Sequence, residues 1–101
     1  MRLSKSEIAI IKQVSAEVWG KKTRIYLFGS RTDDSKKGGD IDLYIHLNDE
    51  PAPQKIMFQK AEFLAKLDLF LGEQKIDLLV RTPYNNHLQI IKTAQLTGLA
   101  L

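Results

Sequence analysis

Three aspartates have the spacing expected of ligands for divalent cations. Asp40 and Asp42 flank one residue in a segment where apolar and polar residues alternate. A β-strand over residues 40–47 would therefore project both from one face, about 6.5–7 Å apart at the Cα atoms. Two carboxylates at this distance repel each other and raise each other's pKa unless a cation lies between them. Oxygen ligands of this kind suit Mg²⁺ or Mn²⁺.

A third carboxylate, Asp77, lies in the otherwise apolar segment 76–80, within a strand predicted over residues 75–80. If the two strands are neighbours, Asp77 can face the same side as Asp42. Three carboxylates on one sheet face would hold two divalent ions, which can stabilise the attacking and leaving oxygens of a phosphoryl transfer. Each aspartate alone has a plainer explanation, such as solvent exposure or, for Asp77, pairing with Arg81. The combination favours the metal site.

A Gly-Ser dipeptide follows the apolar run 25–28, which predicts a short buried strand. Glycine lets the backbone approach a ligand closely, and successive N–H groups after a strand can hold a phosphate. Ser30 adds a hydroxyl donor and Arg31 a positive charge. Alone, Gly29-Ser30 is typical of a turn in which Ser30 caps a helix. With the aspartates close behind it in the sequence, the dipeptide indicates a phosphate site.

The surrounding pattern predicts the elements that would position these groups. Ser4 and Glu7 fit a capping box that begins a helix over about residues 5–19. A strongly apolar helix is predicted over 54–71 and a last helix over about 84–97. The element order α-β-β-α-β-α predicts an α/β (α+β) fold, with a small mixed β-sheet and helices packed on one face.

Composition restricts the class of protein. The 101 residues predict a single domain over residues 1–101, and 44% hydrophobic with 27% charged residues is typical of a globular protein. There is no apolar run of about 20 residues that could span a membrane. A start without a signal-peptide core and the lack of cysteines predict a cytoplasmic protein without disulfides or thiolate chemistry. The net charge of +3, without a concentrated basic patch, argues against a dedicated nucleic-acid-binding domain.

Taken together, the segments 27–31, 39–43 and 76–78 resemble the DNA polymerase beta-type nucleotidyltransferase superfamily, in particular its minimal members, the MNT-domain proteins. The resemblance covers residues 25–80. It implies a nucleotidyltransferase-like fold, a nucleoside triphosphate donor, expected to be ATP, and two Mg²⁺ ions, for which Mn²⁺ could substitute.

The resemblance also implies roles for six residues. The donor phosphates would be bound by Gly29, Ser30 and Arg31. The metal ions would be bound by Asp40, Asp42 and Asp77, and the last of these would help to deprotonate the acceptor hydroxyl. The sequence departs from the family pattern at two points, both in the segment between Ser30 and Asp40. Nine residues separate Ser30 from Asp40 where minimal members often have ten, and Gly38-Gly39 stands where serine and aspartate are common.

A partner protein is implied as well. Larger relatives carry a further domain that binds the acceptor, whereas minimal members often work beside a helical HEPN-domain protein encoded next to them, as an antitoxin–toxin pair. Some of these antitoxins transfer AMP to a tyrosine of the toxin. The predicted helix over 54–71 has more apolar residues than one core stripe needs, which fits either a partner surface or a broad core face. The sequence leaves open whether the chain forms a homo-oligomer or a hetero-oligomer.

Two alternatives to an active enzyme of this kind remain. The chain could be a non-catalytic nucleotide-binding or neutralising subunit that acts by contact with a HEPN-type partner. It could also act on RNA ends or bind nucleic acid, which the basic clusters at 21–24 and 31–37 permit. No aromatic stacking platform or recognition motif supports the nucleic-acid alternative.

Overall fold

The computed structural model describes residues 3–29, 41–47, 51–72, 74–85 and 87–101. Within these ranges it has three helices and four strands: α1 (Lys5–Trp19), β1 (Arg24–Phe28), β2 (Ile41–His46), α2 (Pro53–Leu71), β3 (Ile76–Arg81), α3 (Gln89–Thr97) and β4 (Leu99–Ala100). The strands form one sheet in the order β3-β2-β1-β4. Strand β1 is antiparallel to β2 and β4, whereas β2 is parallel to β3. The predicted mixed sheet and α+β class are confirmed, with the short β4 added.

Helix α1 begins at the predicted capping box. The Ser4 hydroxyl accepts a hydrogen bond from the Glu7 backbone N–H (3.1 Å), and the Glu7 carboxylate accepts one from the Ser4 N–H (2.9 Å). The helix ends at Gly20, whose N–H donates to the Ala16 carbonyl. The capping box and Gly20 explain why the helix begins and ends where the sequence predicts.

The main core lies between one face of the sheet and the pair of helices α1 and α2. Alternate strand residues contribute Ile25, Leu27, Ile41, Leu43, Ile45, Leu78 and Val80, and the helices contribute Ile11, Val14, Val18, Trp19, Phe63 and Leu67. The period of two along each strand leaves the intervening side chains on the opposite face. No helix in the described ranges is long and apolar enough to cross a membrane.

Helix α3 covers part of the opposite face. Its buried residues are Ile91 and Ala94, and Gln95 donates from Nε2 to the Tyr44 hydroxyl at 3.2 Å. The predicted packing of helices on one face thus holds for α1 and α2, and α3 adds a smaller layer on the other side.

The turn before α3 explains why this helix begins at Gln89 and not near residue 84. Thr82, placed before a proline, has the sequence of a helix cap. In the structure its N–H donates to Asn85 Oδ1 (2.8 Å), and Asn85 Nδ2 donates to the Val80 carbonyl (2.9 Å). These local side-chain bonds compete with the first helical turn. The Thr82 hydroxyl also accepts a hydrogen bond from the Tyr84 N–H (3.3 Å), so both side chains stabilise a turn, and the predicted start of this helix is wrong.

Candidate active site

The sheet face opposite the main core carries two of the predicted carboxylates. Asp42 in β2 and Asp77 in β3 are direct partners in the parallel register. Such partners project from the same face, with their backbones about 4.8 Å apart. On its other side Asp42 is paired with Phe28, the last residue of β1. The two aspartate-bearing strands are thus neighbours, which is the condition under which the sequence places Asp77 on the face of Asp42.

Asp77 lies on an edge strand and is exposed to solvent. No described residue forms a hydrogen bond or ion pair with its side chain. Arg81, its alternative partner in the sequence, donates from Nη1 to the Leu47 carbonyl at 3.2 Å. The exposed carboxylate therefore stays available to a ligand, and no burial penalty has to be offset at this position.

Gly29 directly follows β1 and lies against Asp42. Its φ of +77° is in the left-handed region, where glycine is favoured. A Cβ atom at this position would overlap Asp42 Oδ2 and lie 3.1 Å from Asp42 Cγ. The sequence predicts a close approach of Gly29 to a phosphate. The structure shows that the glycine is also needed to leave room for the carboxylate.

An open cleft of about 510 Å³ adjoins the two aspartates. This volume lies within the usual range for small-molecule sites. Besides the aspartates, the cleft is lined by Phe28, Ile76, Leu78 and Leu79 from the sheet, Lys60 and Leu64 from α2, and Ile90 from α3. Among the described residues, the cleft therefore combines two carboxylates, an apolar wall and one ammonium group.

Lys60 is a cleft residue that the sequence did not predict. It lies one helical turn from Ile56 and one from Leu64, both of which pack against the core. A lysine within an otherwise inward-facing stripe is the signal that could have identified it. Its positive charge at the cleft would attract the phosphates of a nucleotide.

Three predicted site residues, Ser30, Arg31 and Asp40, lie outside the described residues. Among the residues that are described, no group of three His, Cys, Asp or Glu side chains is arranged to hold a metal ion. The pair Asp42 and Asp77 nevertheless fits a divalent cation by donor chemistry, because both are carboxylates on one face and Asp77 has no described partner.

The other end of the same sheet face is occupied by packed polar groups. The Tyr44 ring is 1% exposed, and its hydroxyl lies 3.0 Å from His46 Nδ1. Burial raises the pKa of Tyr44. Burial, and then the charge of Arg81, lower the pKa of His46. Tyr44 therefore fills space in the fold, and His46 packs against it.

A family profile described as the nucleotidyltransferase domain matches residues 8–97, from α1 to the end of α3. The chain belongs to the nucleotidyltransferase domain family. The match confirms the resemblance and supports nucleotidyl transfer as the general activity of the domain, with a nucleoside triphosphate as substrate. No curated protein and no solved structure matches the chain.

Proposed function

We propose that this nucleotidyltransferase domain transfers AMP from ATP to a hydroxyl group of a partner protein in the cytoplasm. The partner is a helical HEPN-type toxin, and the domain is its antitoxin. The observation that carries the proposal is the register pairing of Asp42 and Asp77 beside an open cleft, with Gly29 against the first carboxylate. Asp40 completes the proposed set of metal ligands.

In the proposed reaction, the acceptor oxygen bonds to the α-phosphorus of ATP, the bond from that phosphorus to pyrophosphate breaks, and the acceptor proton passes to Asp77. Mg²⁺ ions held by Asp40, Asp42 and Asp77 would supply charge neutralisation and Lewis acidity. Gly29 and Ser30 hold the donor phosphates beside Arg31, and Lys60 adds a positive charge from α2. Positioning and electrostatic stabilisation, without a covalent enzyme intermediate, carry the rate.

The outer face of α2 supports a protein acceptor. Phe58, Ala61, Ala65 and Leu69 follow one another at spacings of three and four residues, so they form one stripe along the helix. All four are exposed, Phe58 at 75% and Leu69 at 76%. An exposed apolar stripe is typical of a protein contact, and its two central alanines allow another helix to approach closely.

Mass spectrometry of the partner tests the proposed transfer. The protein is mixed with ATP, Mg²⁺ and the small helix-rich protein encoded beside it, and the partner is expected to gain the mass of one adenylyl group. EDTA should abolish the gain, and excess Mg²⁺ should restore it. Asp77→Asn should abolish it too, whereas Asp68→Asn, at an exposed carboxylate on α2 outside the cleft, should not. A partner that stays unmodified with every nucleotide would contradict the proposal.

The exposed stripe on α2 also favours a second candidate, neutralisation of the partner by contact alone. In that case folded Asp42→Ala and Asp77→Asn proteins still neutralise the toxin in cells. The double variant Phe58→Ser/Leu69→Ser does not. Leu96→Ser, which changes an 86% exposed leucine on α3, is the matched control. Loss of neutralisation in folded Asp77→Asn protein would exclude contact alone.

A further inference from the structure

A second cavity, of about 410 Å³, lies between α1, the turn that follows it, and strands β1 and β4. It borders Arg24 and Ile25 at the beginning of β1, whereas Asp42 is paired with Phe28 at the end of that strand. Ile25 also belongs to the main core, on the other face of the sheet from the carboxylates. The cavity is therefore separate from the candidate active site.

The cavity combines an apolar wall with a basic rim. The wall is formed by Ala16, Ile25, Ala100 and Leu101, and the rim by Lys12, Lys21 and Arg24. All three basic residues are exposed, and no acidic side chain lines the cavity among the described residues. Positive charges around one concave surface sum to a field that attracts anions.

None of these three cations makes an ion pair with a described carboxylate. Lys21 follows the C-terminal end of α1, where the helix dipole favours a cation. Lys12 lies in the middle of α1, so the helix dipole does not account for a cation at this position. Arg24 also borders a second opening, beside Tyr26, so Lys12 and Lys21 are the two cations that border this cavity alone.

An unsatisfied buried hydroxyl provides an independent observation. Ser15 lines the cavity three residues after Lys12 on α1 and is only 2% exposed. Its Oγ has no hydrogen-bond partner among the described residues. A buried polar group without a partner destabilises the fold, and native proteins usually satisfy it with protein, water or a ligand. The Oγ atom is also shielded from solvent, so a rotation about χ1 of Ser15 that turns it toward the cavity would let an oxygen of a bound anion supply the missing partner.

We propose that this cavity binds a phosphate monoester with a small apolar body. A phosphate monoester carries about −1.5 to −2 charges at pH 7, which matches several single cations better than a carboxylate does. Its oxygens accept hydrogen bonds from the lysines and from Ser15, while the apolar body contacts Ile25 and Leu101. The ligand is distinct from the donor nucleotide of the transfer reaction.

Amide chemical shifts measured during a titration with phenyl phosphate test the location. The amides of Ala16 and Ile25 should move, with little change at Leu79 in the carboxylate cleft. Lys12→Gln and Lys21→Gln should each weaken binding roughly threefold to tenfold, and added salt should weaken it further. Lys55→Gln, at an exposed lysine on α2 outside both cavities, should leave the affinity unchanged. Unmoved Ala16 and Ile25 amides at millimolar phenyl phosphate would overturn the site.

Two further probes test the ligand class. Inorganic phosphate, which lacks the apolar body, and benzoate, which lacks the second charge, should both bind more weakly than phenyl phosphate. Equal binding of benzoate would overturn the assignment of a phosphate, and equal binding of inorganic phosphate would overturn the role of the apolar wall.

The variant Ser15→Ala separates ligand binding from folding. Because the hydroxyl lacks a described partner, its removal should leave the thermal midpoint of the free protein unchanged or raise it. The same change should weaken phenyl phosphate binding roughly threefold to tenfold, the loss of one hydrogen bond. A lowered midpoint with unchanged affinity would show that Ser15 has a structural role only and would contradict the proposal.

Discussion

The sheet face that carries the aspartates has two ends, which differ in where their polar groups find partners. At one end, Asp77 has no described partner and borders an open cleft. At the other end, Gln95 donates to the Tyr44 hydroxyl, which in turn lies within hydrogen-bond distance of His46. The His46 ring also stacks on Tyr44, with ring centroids 6.0 Å apart.

Strand β2 contributes to both ends, so the difference does not come from the backbone. Asp42 and His46 lie on the same face of this strand, about 13 Å apart by the strand rise. A polar group that is satisfied inside the fold contributes to stability, whereas one without a protein partner is available to a ligand. The comparison predicts that substitutions of the packed side chains at the aromatic end reduce stability, and that substitution of Asp77 at the carboxylate end reduces activity.

The largest expected effect is at the aromatic end. Tyr44→Ala removes a ring that is 1% exposed and packs edge-on against Tyr26, so it should lower the free energy of unfolding by about 3–5 kcal/mol. Tyr44→Phe keeps the ring and loses only the hydroxyl, at a cost of about 1 kcal/mol. Urea denaturation measures both. A near-neutral Tyr44→Ala would contradict the structural role of this end.

At the carboxylate end, Gly29→Ala should be the most destabilising change. The left-handed backbone alone should cost about 1–2 kcal/mol, and the overlap of the new Cβ with Asp42 should add to it. The Asp42→Ala background is the control, because it lacks the carboxylate that the new Cβ would overlap, so Gly29→Ala should cost less there. Equal losses in the two backgrounds, measured by urea denaturation, would show that Asp42 does not pack against Gly29.

A smaller effect on stability is expected when the pH is lowered. The folded-state pKa of His46 lies below the ordinary value of 6.5, so the unfolded chain binds more protons than the folded one near and below this pH. The contribution of His46 to stability is therefore present above pH 6.5 and is lost as the pH falls through the folded-state pKa. The thermal midpoint should fall less on acidification in His46→Gln than in the parent. His87→Gln, at an exposed histidine, is the control.

The smallest effect on stability is expected for Asp77→Asn. Since this side chain is exposed and lacks a described partner, the free energy of unfolding should change by less than about 0.5 kcal/mol. Nucleotidyl transfer should nevertheless fall by about a hundredfold or more, because a proposed metal ligand would be lost. Unfolding curves and transfer rates measured on the same preparation would test both halves. A marked loss of stability would show that Asp77 supports the fold.

The elements that could be predicted from sequence are those with strong local signals. The capping box at Ser4 and Glu7 fixes the start of α1, and alternation along β2 assigns its two faces. The start of α3 was missed because Thr82 and Asn85 satisfy backbone groups in a turn that propensity does not describe. Strand β4 is two residues long, too short to show a period, and forms only by pairing with β1.

The candidate site could be predicted in its residue types but not in its contacts. The shared face of Asp42 and Asp77 depends on which strands are neighbours, a long-range property that each strand pattern leaves undefined. The second reason for glycine at position 29, space for the Asp42 carboxylate, is likewise visible only in three dimensions. Lys60 enters the cleft because of how α2 is rotated on the sheet.

The parallel pairing of β2 and β3 has a thermodynamic consequence. Helix α2 separates the two aspartates along the chain, so they become neighbours only when the crossover from β2 through α2 to β3 has formed. A divalent cation held by this pair would bind the folded chain and not the unfolded one, so ion binding and folding would be linked equilibria. Each tenfold rise of the free ion above its dissociation constant would then stabilise the domain by about 1.4 kcal/mol.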